Sequence, residues 1–87
     1  MAFRVLEVQS TPNPNAHKFV LDQPITDRPL SYFTAESAVG NAIAERLFAI
    51  PGVSSLLLLG DFVTINKSSA AKWADINGKV KKVLLTS

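Results

Sequence analysis

Apolar positions along the chain repeat every second residue near its start, at helical spacing in two later stretches, and every second residue again between those stretches. Phe3 to Gln9 offers two side-chain sets, Phe3/Val5 and Leu6/Val8, and its Val and Phe residues favour extended backbone, which predicts a first strand. Pro12 and Pro14 end it. Each proline fixes its own φ and pushes the preceding residue out of the helical region, so Ser10 to Ala16 reads as a stiff, extended loop. His17 to Leu21 reads as a second strand. Asp22 to Pro29 carries two turn-forming runs, Asp-Gln-Pro and Asp-Arg-Pro, and is a surface connection. Leu30 to Phe33 has the composition of a short edge strand.

From about Ser37 the period becomes helical, with Val39, Ile43 and Leu47 in one apolar row that Ala44 and Phe48 extend. Gly40 weakens a helix interior by about 1 kcal/mol and Asn41 is a good N-cap, so the well-formed helix can begin at Asn41, with Glu45 near its positive end. Pro51-Gly52 stops it. Val53 to Leu59 and Phe62 to Lys67 are β-rich runs joined by Gly60-Asp61, a pair suited to a tight turn with Gly in its first central position. Ser68 or Ser69 is the expected cap of a last helix. In it Trp73, Ile76, Val80, Val83 and Leu84 repeat at helical spacing, Lys72, Lys79 and Lys82 point elsewhere, and Asn77-Gly78 is a weak spot. The predicted order is β-β-α-β-β-α. It implies a two-layer α+β fold in which two helices cover one face of an antiparallel sheet of about four strands.

The length of 87 residues allows one domain over 1–87, and 47% hydrophobic with 18% charged residues is the composition of a packed chain, not a disordered one. The absence of cysteine removes disulfides, thiolate nucleophiles and thiolate-held zinc or iron-sulfur sites. Met1 to Glu7 has no long apolar run, so neither a secretory leader nor a membrane span is expected, and a cytoplasmic location is. A net charge of +2 is too small to imply nucleic-acid binding unless the lysines cluster.

Catalytic equipment is sparse. His17 is the single histidine; with Asp22 it would form a base-orienter pair, but a lone histidine at a strand start is more often structural. The carboxylates are dispersed, without the spacing of an oxygen-ligand loop, and Gly40, Gly52, Gly60 and Gly78 are isolated, so neither a metal site, a phosphate loop nor a dinucleotide fingerprint is expected. No cofactor is expected, and no enzymatic activity. Lys72, Lys79, Lys81 and Lys82 give the last helix a basic solvent face without exposed aromatics for base stacking.

The Thr11-Pro12-Asn13-Pro14-Asn15 loop stands out, because two rigid prolines hold two asparagine amides and a threonine hydroxyl in a nearly fixed display. Rigidity lowers the entropy lost on binding a partner. The plainer reading is a turn in which the asparagines bond their own backbone. If strands and helices alternate in direction, this loop, the Pro51-Gly52 corner, the end of the fourth strand and the start of the last helix share one end of the molecule. Lys18, Lys67, Ser68, Ser69 and Lys72 would then gather around helix N-terminal amides, a setting that attracts carboxylate or phosphate. A paired strand at Leu30 to Phe33 would reverse that parity.

Thr11-Pro12-Asn13-Pro14-Asn15-Ala16 followed by Lys18-Phe19, then Leu47-Phe48, Ile50-Pro51-Gly52-Val53, and Asp61-Phe62-Val63-Thr64-Ile65 with Lys67, together resemble the N-terminal domain of Nfu-type iron-sulfur cluster scaffold proteins. The resemblance runs from about Val5 to Val83. It implies the two-layer α+β fold and a role in iron-sulfur cluster assembly or delivery, with protein partners among assembly or client proteins. In that family a separate C-terminal domain with a Cys-x-x-Cys motif holds the cluster and the N-terminal domain serves partner recognition. The expectation is a non-catalytic adaptor that recognises its partner through Thr11 to Asn15, Lys18, Pro51, Gly52, Lys67, Ser68 and Ser69. The alternative is an anion- or phosphopeptide-binding module at the lysine-lined start of the last helix.

Overall fold

The computed structural model describes residues 2–86. Its elements are β1 (Val5–Ser10), β2 (Ala16–Leu21), β3 (Leu30–Tyr32), a 3-10 turn (Glu36–Ala38), α1 (Ala42–Phe48), β4 (Val53–Leu59), β5 (Phe62–Lys67) and α2 (Trp73–Leu85). The strands form one sheet in the order β1-β2-β5-β4-β3, and every neighbouring pair is antiparallel. The sheet therefore has five strands instead of about four. The additional one is the short edge strand, three residues long, which lies along β4 with Leu30 opposite Leu58.

Alternation along the strands sets the layers. Phe19, Leu21, Leu56, Leu58, Val63 and Ile65 are buried and join Leu47 from α1 and Ile76, Val80 and Leu84 from α2 in one core. The intervening Val20, Leu57, Leu59, Phe62 and Thr64 lie on the opposite face and are only half-buried, because no helix covers that side. Burying one face in this way supplies most of the drive to fold, at about 2 kcal/mol for each fully enclosed aliphatic side chain.

Local chemistry explains the boundaries. Gly60, at φ +56, is the first central residue of the two-residue turn joining β4 to β5, where Leu59 opposes Phe62. In β1 the register slips between Val5 and Glu7, so Leu6 is an extra residue, 62% exposed. This bulge brings Val5 and Val8, which are of opposite parity in the sequence, to the same core. The first helix starts late. Asn41 accepts the Ala44 N–H at 3.0 Å as N-cap, and the Glu45 carboxylate accepts the Gly40 N–H at 3.3 Å. Gly40, at φ +101, thus lies outside the helix, and Val39, expected in its apolar row, is 75% exposed.

The expected serine cap of the last helix is also replaced. Lys72 takes the N-cap position without a side-chain bond, while the Ser68 carbonyl accepts from Ala71 in a turn that precedes the helix. Once started, α2 runs through Asn77-Gly78 uninterrupted because Ile76, Val80 and Leu84 are fully enclosed on its inner face. Its far end is tied down by the Phe3 N–H, which donates to the Leu84 carbonyl at 2.8 Å, and by Arg46, which donates to the Thr86 hydroxyl at 2.7 Å. Among the described residues no helix is long and apolar enough to cross a membrane.

Candidate functional site

The loop between β1 and β2 is braced from within. The Thr11 hydroxyl lies 2.9 Å from the carbonyl oxygens of both Asn13 and Ala16, either of which can take its proton, and accepts the Asn13 N–H at 3.2 Å. The Asn13 side-chain oxygen accepts the Asn15 N–H at 2.9 Å, an Asx turn, and the Asn13 carbonyl accepts the Ala16 N–H at 3.0 Å. Asn13 thus bonds its own backbone as in the plainer reading, whereas the Asn15 side-chain oxygen accepts from a distant side chain. Pro12, Asn13 and Pro14 still face solvent.

Two residues distant in sequence clamp the same loop. The Lys67 backbone N–H donates to the Asn15 carbonyl at 2.8 Å, and its ammonium donates to Asn15 Oδ1 at 2.9 Å and to the Ser68 carbonyl at 3.3 Å. Trp73 donates its indole N–H to the Pro14 carbonyl at 3.0 Å. The register requires these meetings, since β5 pairs with β2 so that Asn66 opposes Ala16, which brings the end of β5 and the start of α2 to the loop.

Trp73 also covers His17. The rings stack with centroids 3.9 Å apart and planes 7° from parallel, Phe19 lies tilted at 6.3 Å, and the Lys67 ammonium is 5.9 Å from the Trp73 ring centroid. His17 Nδ1 is buried without a hydrogen-bond partner among the described residues. Burial first, and the Lys67 charge second, hold the His17 pKa below its ordinary value, which favours the neutral ring. Asp22 is no orienter for it. Its carboxylate accepts the Arg4 N–H at 3.0 Å near the other end of β2, about 16 Å of strand away.

Most of the expected cluster does converge. The Ser68 N–H donates to the Gly52 carbonyl at 2.8 Å, which joins the Pro51-Gly52 corner to the β5–α2 connection, and Pro51, Ser68 and Ser69 are exposed there. The parity survives the paired β3, because β4 still begins opposite the end of β5, with Val53 facing Lys67. Lys18 does not join. It opposes Thr64 on the uncovered face of the sheet, and its ammonium rests 4.1 Å from the Phe62 ring centroid. Gly52, at φ +97, sits so close to the β5–α2 connection that a Cβ there would fall 2.6 Å from that of Ala71. Trp73, read from the sequence as core, is half-buried and is the lid of the loop. Its indole N–H, which needs a partner when covered, was the available signal. Among the described residues no three His, Asp or Glu side chains converge as metal ligands.

The family described as "Scaffold protein Nfu/NifU N terminal" matches residues 6–87. A NifU-like protein of Schizosaccharomyces pombe is 34% identical over 80 residues, covering 88% of this chain and 31% of its own length. The human "NFU1 iron-sulfur cluster scaffold homolog, mitochondrial" is 34% identical over 68 residues, covering 77% of this chain and 27% of its own. The chain thus spans about a third of the length of these relatives. The solution structure of a NifU-like protein from Saccharomyces cerevisiae superposes with a TM-score of 0.78 at 28% identity, over 92% of this chain and 74% of that one.

Proposed function

Since this chain belongs to the Nfu/NifU N-terminal scaffold family, we propose that it is a non-catalytic interaction module of iron-sulfur cluster assembly or delivery. Its recognition surface is the end formed by Pro12, Asn13, Pro14, Pro51, Ser68 and Ser69. The observation that carries this reading is the clamping of the loop by Lys67 and Trp73, residues 52 and 59 positions away in sequence. A segment braced that firmly loses little entropy when a partner covers it. The cluster in this reading is cargo held by the partner, because clusters are held mainly by cysteine thiolates and this chain has none. The stacked His17, whose Nδ1 has no hydrogen-bond partner among the described residues, favours a structural role over a catalytic one.

Titration of the isotopically labelled chain with a cluster-loaded Cys-x-x-Cys domain tests the proposal. Amide shifts are expected at Thr11, Asn13 and Asn15 and at Gly52 and Val53. They should be lost in a Pro12→Arg, Ser69→Arg double variant, whose exposed positions leave the brace intact. Shifts elsewhere, or binding indifferent to those substitutions, would refute the role of this end. The anion-binding alternative has less support: Lys18 points to the other face and the Lys67 ammonium is already engaged by Asn15 and Ser68.

A further inference from the structure

Beyond the loop, the solvent flank of α2 forms a concave, open groove of about 970 Å³ against the Pro51-Gly52 corner. Lys72, Lys79 and Lys82 line it, with Asp75 as the one carboxylate in the lining. We propose that this groove docks an acidic amphipathic helix of a protein partner. The inference extends the interaction-module reading and rests on it for the partner's being a protein; the groove adjoins the loop end, sharing Pro51 and Ser68 with it, and runs from there along α2.

Charge and spacing carry the argument. The three lysines occupy positions i, i+7 and i+10, so they follow one stripe of the helix with about 10 Å between the first two and about 15 Å from first to last. A second helix lying along α2 with Glu or Asp at the same spacing meets all three, since residues repeating in sevens stay on one side of a helix. None of the three ammonium groups has a hydrogen-bond or ion-pair partner among the described residues, so docking breaks no internal contact. The groove is also shallow in side chains. Ala71, Ala74 and Gly78 contribute to its lining, and a Cβ added at Gly78 would meet nothing within 4 Å, which lets a second helix come close. Nucleic acid suits it less well: Trp73, the aromatic residue of this helix, has its ring stacked on His17.

The test uses the labelled chain and three probes: a short helical peptide with Glu at i, i+7 and i+10, the same peptide with Lys at those positions, and a single-stranded oligonucleotide of equal negative charge. The acidic peptide is expected to shift amides from Lys72 to Lys82 and at Gly52, and Lys79→Glu and Lys82→Glu are each expected to weaken it about fivefold. Gly78→Leu should abolish binding while raising the midpoint of thermal unfolding, because leucine is the better helix former, so the loss cannot be blamed on misfolding. Pro12→Arg alone, at a position outside the groove lining, should bind the acidic peptide normally, which separates failure of this proposal from failure at the loop. Absence of shifts along α2, binding unaltered by the lysine reversals, equal binding of the basic peptide, or an oligonucleotide as tight as the acidic peptide would overturn it.

Discussion

Trp73 donates its indole N–H to the Pro14 carbonyl at 3.0 Å, so the first residue of the last helix fixes the first loop of the chain. Trp73→Phe removes that bond and keeps an aromatic ring for His17. Unfolding in urea should show a loss of about 1 kcal/mol, and the amides of Asn15 and Ala16 should exchange faster with solvent. Trp73→Ala also removes the stack and should lose about 3 kcal/mol. Unchanged exchange in Trp73→Phe would mean that the loop is rigid without the helix.

The bond from the Lys67 ammonium to Asn15 Oδ1 is partly buried and should register as coupling. A double-mutant cycle with Asn15→Ala and Lys67→Met is expected to give an interaction energy of about 1 kcal/mol, since the backbone bond between the same residues survives in every variant. Additive effects would show that the ammonium is held by the Ser68 carbonyl instead.

His17 makes stability depend on pH with a definite sign. Its folded pKa lies below the unfolded value of about 6.5, so between the two the unfolded chain binds more protons than the folded one. The contribution is complete above the unfolded pKa and is lost as pH falls through the folded pKa. A urea midpoint that drops on acidification from neutrality, alongside an NMR titration of the His17 ring, measures it. Lys67→Met removes the second of the two causes and should move the His17 pKa upward; a pKa that stays put would assign the whole depression to burial.

Two glycines at positive φ separate backbone strain from crowding. Gly52→Ala adds a Cβ 2.6 Å from the Ala71 Cβ and 3.3 Å from Ile76 Cδ1, so it should lose about 3 kcal/mol and loosen the start of α2. Gly60→Ala meets nothing within 4 Å and should lose only about 1 kcal/mol, the strain of its φ of +56. Equal losses in thermal unfolding would remove the case for close packing at Gly52.

The strands and helices were legible because they are written in local chemistry: Gly60-Asp61 marks a turn, Asn41 a cap, and Ile76, Val80 and Leu84 a buried stripe. Features decided by distant contacts were not. The bulge at Leu6 answers to pairing with β2. The exposure of Val39, by contrast, follows from the local start of α1 at its Asn41 cap, which leaves Val39 and Gly40 outside the helix. The candidate site divides in the same way. Two prolines announce a stiff loop, and chain direction brings Lys67, Ser68 and Pro51 to it, but which way a strand's side chains face depends on where the helices pack. That is why Lys18, one residue from His17, lies on the uncovered face. The engagement of Asn15 by Lys67 spans 52 positions, beyond the reach of any local pattern.

The bond between Phe3 and Leu84 has a bearing on architecture in longer chains. It joins the entry to β1 with the exit of α2, and both lie at the pole opposite the Thr11–Asn15 loop. Polypeptide extending from either end, as in relatives roughly three times this length, would depart from that far pole. Whatever the loop holds would thus sit at the pole away from the entry to β1 and the exit of α2.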